Sequence, residues 1–111
     1  MASTPEGKVK EKVKRLLKQY DPALYVFMPR GTTFGVAGVP DFIGCFEGRF
    51  FGIETKAGKN KPTPMQELQM DRIRQAGGRS FVVNEDPETL QAVKDWLDLL
   101  IMGALVQRGK L

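Results

Sequence analysis

The stretch DFIGCFEGRFFGIETK, residues 41 to 56, constrains the fold more than any other. Two runs rich in β-formers flank Glu47-Gly48, a pair suited to a two-residue turn because glycine tolerates the positive φ such turns require. A turn of that length fixes the register, so that Phe46 faces Arg49, Ile43 faces Gly52 and Asp41 faces Glu54. Register in turn fixes the face on which each side chain emerges, since side chains alternate along a strand. Glu54 and Lys56 then share one face while Thr55 points to the other. Two carboxylates stand opposite each other with an amine beside them. Like charges directly across a strand pair repel, so the arrangement calls for a compensating cation.

The rest of the chain reads as helices and short strands around this hairpin. Thr4-Pro5-Glu6 forms the start of a first helix, with Val9, Val13, Leu16, Leu17 and Tyr20 at helical spacing before Asp21-Pro22 stops it. Residues 24–28 (LYVFM) read as a strand, followed by a glycine-rich loop over 29–38 that contains neither a GxGxxG nor a GxxxxGK[ST] pattern. After the basic loop 57–62, Thr63-Pro64 opens a second helix that runs to Gly77-Gly78. Residues 80–83 make a fourth strand. Asp86-Pro87 opens a third helix, expected to end near Gly103, and a short basic tail at 107–111 is expected to be disordered. The order α-β-β-β-α-β-α implies an α/β fold with a small mixed central sheet flanked by helices on both faces.

Length and composition narrow the function. A chain of 111 residues fits one domain, 1–111, with one modest core. No apolar run reaches the roughly 20 residues needed to span a bilayer, and the charged N-terminus lacks the apolar stretch of a secretory signal, so the expectation is no membrane and a cytoplasmic location. With no histidine and a single cysteine, Cys45, a zinc site is excluded and any metal must be held by oxygen. Of the net charge of +4, the excess lies in residues 1–61, with 11 Lys/Arg against 6 Asp/Glu; residues 62–111 hold 6 against 7. The basic half is the half that carries the hairpin. It suits a polyanionic partner, although a merely solvated basic face accounts for the charge as well.

Asp41 and Glu54 are candidate ligands for Mg²⁺ or Mn²⁺, with a backbone carbonyl at Thr55 as a further donor. Such an ion acidifies a water and stabilises charge on a phosphoryl oxygen, the two contributions a phosphodiester hydrolysis most needs. Lys56 would position the water or neutralise developing charge. Glu6 precedes Val9 and Val13 by three and seven residues and so projects with the buried stripe of its helix. Two readings of it stand: an inward acid partnered through the metal site or Lys56, or an exposed acid at a helix N-terminus. The lysines crowding that helix read either as its solvent face or as phosphate contacts.

Taken together, Glu6 on the first helix, the Gly38-Val39-Pro40-Asp41 run, the Gly52-Ile53-Glu54-Thr55-Lys56 strand and Thr63-Pro64-Met65-Gln66 at a helix start resemble the VRR-NUC branch of the PD-(D/E)XK nucleases over residues 4–84. The resemblance implies a restriction-endonuclease-like α-β-β-β-α-β core plus a C-terminal helix. It implies a Mg²⁺- or Mn²⁺-dependent endonuclease in which Asp41 and Glu54 hold metal, Lys56 assists the water, Glu6 completes the acidic cluster and Gln66 orients Lys56 or the water. Met65 departs from the pattern, standing where many relatives carry an acid. Stand-alone members of this size look like Holliday-junction resolvases that act on branched DNA as homodimers. Two cuts at a junction and one candidate site per chain argue physically for the same pairing. The apolar third helix, with Trp96, Leu97, Leu100 and Ile101, is a candidate contact, with ordinary core packing preferred. Arg30, Thr32, Lys59 and Lys61 lie on loops near the site and are expected to contact phosphates. The rival readings are a non-catalytic nucleic-acid-binding module of the same fold and a scaffold protein that dimerises through the third helix.

Overall fold

The computed structural model describes residues 4–30 and 35–109. Its elements are α1 (Pro5–Lys18), β1 (Tyr25–Phe27), β2 (Phe42–Phe46), β3 (Arg49–Thr55), α2 (Pro64–Gln75), β4 (Arg79–Val83) and α3 (Pro87–Gln107). This is the expected order. The four strands lie in the order β1-β2-β3-β4, with β1, β2 and β3 antiparallel and β4 parallel to β3. The sheet is therefore mixed, and the fold is α/β. A tight hairpin joins the antiparallel β2–β3 pair, whereas the parallel β3–β4 pair needs a crossover, which α2 provides.

The hairpin has the expected register, with Phe46 paired to Arg49 and Ile43 to Gly52. Its turn places Glu47 and Gly48 at φ of 51° and 76°, the positive values that a two-residue hairpin loop demands. One face of the sheet presents Phe42, Phe46, Phe51, Ile53, Phe81 and Val83 to α1 and α3. Val9, Val13, Leu16 and Leu17 of α1 and Val93, Trp96 and Leu97 of α3 complete this core. Trp96 meets Phe51 and Phe81 edge-on, at centroid distances of 5.9 and 5.6 Å, a geometry that aligns ring edges with ring faces. Trp96 and Leu97 are thus core residues. The large apolar side chains left exposed on α3, among the described residues, are Leu99, Met102 and Val106.

The opposite face packs on α2. Ser80 Oγ donates to the Met70 carbonyl at 3.1 Å, and a Cβ at Gly52 would meet Ile73 Cδ1 at 2.9 Å and Pro40 Cγ at 3.0 Å. The missing side chain at Gly52 lets α2 and the loop before β2 sit close on the sheet.

The C-terminal end departs from expectation. α3 does not stop near Gly103 but continues to Gln107, closed by Arg108 N–H donating to the Ala104 carbonyl at 3.1 Å and Gly109 N–H to Val106 at 3.0 Å. A glycine inside a helix costs only about 1 kcal/mol, and half-buried Ala104 and Leu105 follow it. Residue 107 is therefore helical rather than part of a tail, while residues 110–111 lie outside the described residues. No described helix is long and apolar enough to cross a membrane.

Candidate metal and catalytic site

The site forms at the open end of the hairpin, away from its turn. The ladder between β2 and β3 ends at the Phe42–Ile53 pair, so Asp41 is not held opposite Glu54 by backbone pairing as the register alone predicts. Its carboxylate turns diagonally to Thr55, and Oδ2 accepts from Thr55 N–H at 2.9 Å and from Thr55 Oγ1 at 2.6 Å. Thr55 is fully buried, which gives the clamp a rigid base. Two donors on one oxygen fix the rotamer and leave Oδ1 directed elsewhere. It lies 4.0 Å from Lys10 Nζ.

Glu54 is the more demanding acid. Its side chain is only 3% exposed; Oε2 lies 3.5 Å from Lys56 Nζ, and Oε1 is buried with no hydrogen-bond partner. Burial above all, with the neighbouring Asp41 charge added, pushes its pKa from the ordinary 4.5 up to about 7; Lys56 opposes the rise and Glu6 adds to it. A buried acceptor without a partner costs about 1–3 kcal/mol, and a second negative charge nearby increases the penalty. Both costs disappear if a cation sits against that oxygen.

Among the described residues, no three His, Cys, Asp or Glu side chains come together as a ready-made metal cluster. The site offers a pair of acids, with Glu6 engaged by Lys10 at 3.3 Å. A pair is what a Mg²⁺ or Mn²⁺ site with substrate phosphate needs, because these ions keep several waters and take one or two protein carboxylates. The unpartnered Oε1 of Glu54 and the oxygen-only donor set fit such an ion.

Glu6 comes near the pair, since its charge is felt at Glu54, but its direct partner is Lys10 rather than Lys56. Lys10 escaped the sequence reading, which placed it with the solvent-facing lysines; the Glu6–Lys10 spacing of four residues was the available signal. Thr55, expected to contribute only its backbone carbonyl, also uses its side chain, whose Oγ1–H donates to Asp41 Oδ2. Gln66 opens α2 in a capping box: its Oε1 accepts from Thr63 N–H at 2.9 Å, and Thr63 Oγ1 accepts from Gln66 N–H at 3.2 Å. Gly38 explains how the Pro40-Asp41 loop reaches the site. At φ 79° it lies against α2 so closely that a Cβ would come 2.6 Å from the Met65 carbonyl carbon and 2.9 Å from Gln66 N.

The candidate phosphate contacts lie on the loops that follow β1 and β3. Lys59 and Lys61 are exposed on the loop after β3, and that loop is tethered where both Glu85 carboxylate oxygens accept from Gly58 N–H at 3.0 and 3.1 Å. Glu85 is a second residue the sequence did not flag. Arg30 is exposed at an apolar cleft of about 570 Å³ lined by Phe27, Pro40, Ile43, Phe50 and Ile73. Thr32 lies outside the described residues.

No protein-family model matches the chain, and neither does any curated protein. Among solved structures, one described as "VRR_NUC domain" superposes with a TM-score of 0.69 at 24% identity, covering 83% of this chain and 97% of its own. Another, described as "VRR_NUC domain protein", gives a TM-score of 0.67 at 19% identity over 86% of this chain and 90% of its own. The fold implied by the resemblance is the fold observed.

Proposed function

We propose that residues 1–111 form one catalytic domain, a metal-dependent, structure-selective DNA endonuclease acting on branched DNA such as Holliday junctions. The observation that carries this reading is Glu54: a buried carboxylate with one orphaned oxygen, beside a second carboxylate and a lysine, in a chain with the fold of VRR_NUC domains. A protein that only bound DNA would gain nothing by facing a polyanion with clustered acids.

In this reading Asp41 and Glu54 hold Mg²⁺ or Mn²⁺, with the Thr55 carbonyl as a further donor. When bound, the ion supplies positive charge against the phosphoryl oxygens and lowers the pKa of an attacking water. Thr55 keeps Asp41 in one rotamer through the two bonds to Oδ2. Lys56, only 13% exposed and fixed by Glu54, holds its ammonium where it orients the water or neutralises charge on the phosphate. Water attacks in line, its oxygen bonds to phosphorus, and the bond from phosphorus to the leaving sugar oxygen breaks; the proton lost by water is balanced by one gained at that oxygen. Glu6 adds negative charge at the rim, and Gln66, with its oxygen in the capping box, has its amide NH₂ to donate to the attacking water rather than to the Lys56 ammonium, which is itself only a donor. Arg30, Thr32, Lys59 and Lys61 contact backbone phosphates and fix register without reading bases. A homodimer makes the two cuts that a four-way junction requires.

The test is cleavage of synthetic four-way junctions, flaps and plain duplex with Mg²⁺ or EDTA, by wild type, Asp41→Asn and Lys56→Ala. We expect cutting only with Mg²⁺, preference for branched substrates, and loss of cutting in both variants with DNA binding kept. Cutting in EDTA, or full activity in Lys56→Ala, removes the metal or Lys56 from the mechanism. Binding without cutting of any substrate favours the non-catalytic module instead.

A further inference from the structure

Lys10 has no part in the reaction just described, yet it sits closer to the acids than any other basic residue of its helix. Lys8, Lys12, Lys14, Arg15 and Lys18 are exposed on α1, whereas the Lys10 side chain retains only 31% exposure. Its Nζ lies 3.3 Å from Glu6 Oε2 and 4.0 Å from Asp41 Oδ1. The Asp41 carboxylate is therefore divided: Thr55 takes Oδ2, and Lys10 faces Oδ1, the oxygen left for a cation.

We propose that Lys10 is a positioning residue that acts as a built-in counter-ion. Its ammonium neutralises Asp41 and Glu6 until a divalent ion displaces it, and so it sets the concentration at which the site fills. This rests on the metal reading above and adds to it. An ammonium and a divalent cation cannot share one carboxylate oxygen without repulsion, so either Lys10 moves or the ion binds weakly. Movement is open to it, because a lysine carries its charge on a flexible four-carbon stem and, among the described residues, the two acids alone pair with its tip. Glu6 then has a defined part: it gives the displaced ammonium a carboxylate to stay with, four residues away on the same helical face.

The experiment is calorimetric titration of the full chain with Mn²⁺ alone, comparing wild type with Lys10→Met, Lys10→Gln and Lys10→Arg. Lys10→Met and Lys10→Gln should bind Mn²⁺ roughly tenfold more tightly, the order expected for removing one unit charge several ångströms from a cation near the surface. Lys10→Arg should stay near wild type, a rescue that loss of packing would not show. Titration of wild type with Mg²⁺ should also shift the Lys10 side-chain NMR signals. Unchanged or weaker Mn²⁺ binding by both neutral variants overturns the role of Lys10 and leaves the metal reading intact. Absence of binding by every protein overturns the metal reading and this inference with it.

Discussion

The hairpin carries a glutamate at each end, and the two live under different physics. Glu47, at the turn, keeps 25% of its side chain exposed against 3% for Glu54, and pairs with Arg108, itself a surface residue, at 3.5 Å. Water solvates that carboxylate, and such a pair contributes at most about 1 kcal/mol. Glu54, at the open end, sits in β3 beside Val82 of β4 with its side chain only 3% exposed, has one oxygen without a partner and feels the charge of Asp41. The same side chain is inert at one end and poised at the other. The difference lies in dielectric and neighbours, and it puts the candidate site where the ladder opens rather than at the more accessible turn.

The largest effect that tests this contrast is on cleavage. Glu54→Gln and Asp41→Asn should each lower the cleavage rate on a four-way junction by roughly 10²–10⁴-fold, the range for removing one charged group from a catalytic centre. Glu47→Gln should leave the rate unchanged; an equal loss there would erase the distinction between the two ends.

The next effect is on packing. Gly38→Ala should destabilise the fold by about 2–3 kcal/mol, because the new Cβ meets α2 backbone at a residue whose φ is already positive. At the turn, Gly48→Ala meets nothing within 4 Å and should cost about 1 kcal/mol, from its φ of 76° alone. Urea denaturation midpoints compare the pair, and equal losses would show that the open end is no more tightly built than the turn.

The contrast also has a pH signature. Folding raises the Glu54 pKa from 4.5 to about 7, so across that window the folded state keeps a proton that the unfolded chain has released. In EDTA, stability should therefore fall as pH rises from 4.5 to 7 and level off above. Glu54→Gln should remove that slope and gain on the order of 2 kcal/mol at pH 8, with no such change in Glu47→Gln. Thermal melts between pH 5 and 8 decide it, and a wild-type protein that gains stability across this window through Glu54 would sink the assignment. The smallest effect is at the α2 cap. Thr63→Ala should cost about 1 kcal/mol and loosen the helix start against which Gly38 rests, read by amide exchange at residues 65–67.

Much of this was legible without coordinates. Turn chemistry at Glu47-Gly48 fixed the pairing of β2 with β3, because a two-residue loop admits one register, and Pro at the first position marked the starts of α1, α2 and α3. The end of α3 was not legible, since a single glycine reads as a stop unless the packing that carries the helix past it is known. Nor was the geometry of Asp41: period and register placed it opposite Glu54, but the ladder ends one residue short and a buried threonine captures it. Lys10 stands among five exposed basic neighbours on one helix; its spacing of four from Glu6 signals that pair, but only the fold brings it to Asp41.

By itself the sequence determined what is local: which residues turn, which start helices, and that Asp41, Glu54 and Lys56 emerge near one another at a strand end. These follow from backbone sterics and the two-residue period of a strand, which act within a few residues. The tertiary structure alone decided how deeply Glu54 is buried, which oxygen of Asp41 is spoken for, and that Lys10 faces Asp41. Solvation and charge coupling depend on atoms brought together from distant parts of the chain, and they are set only when the helices close over the sheet.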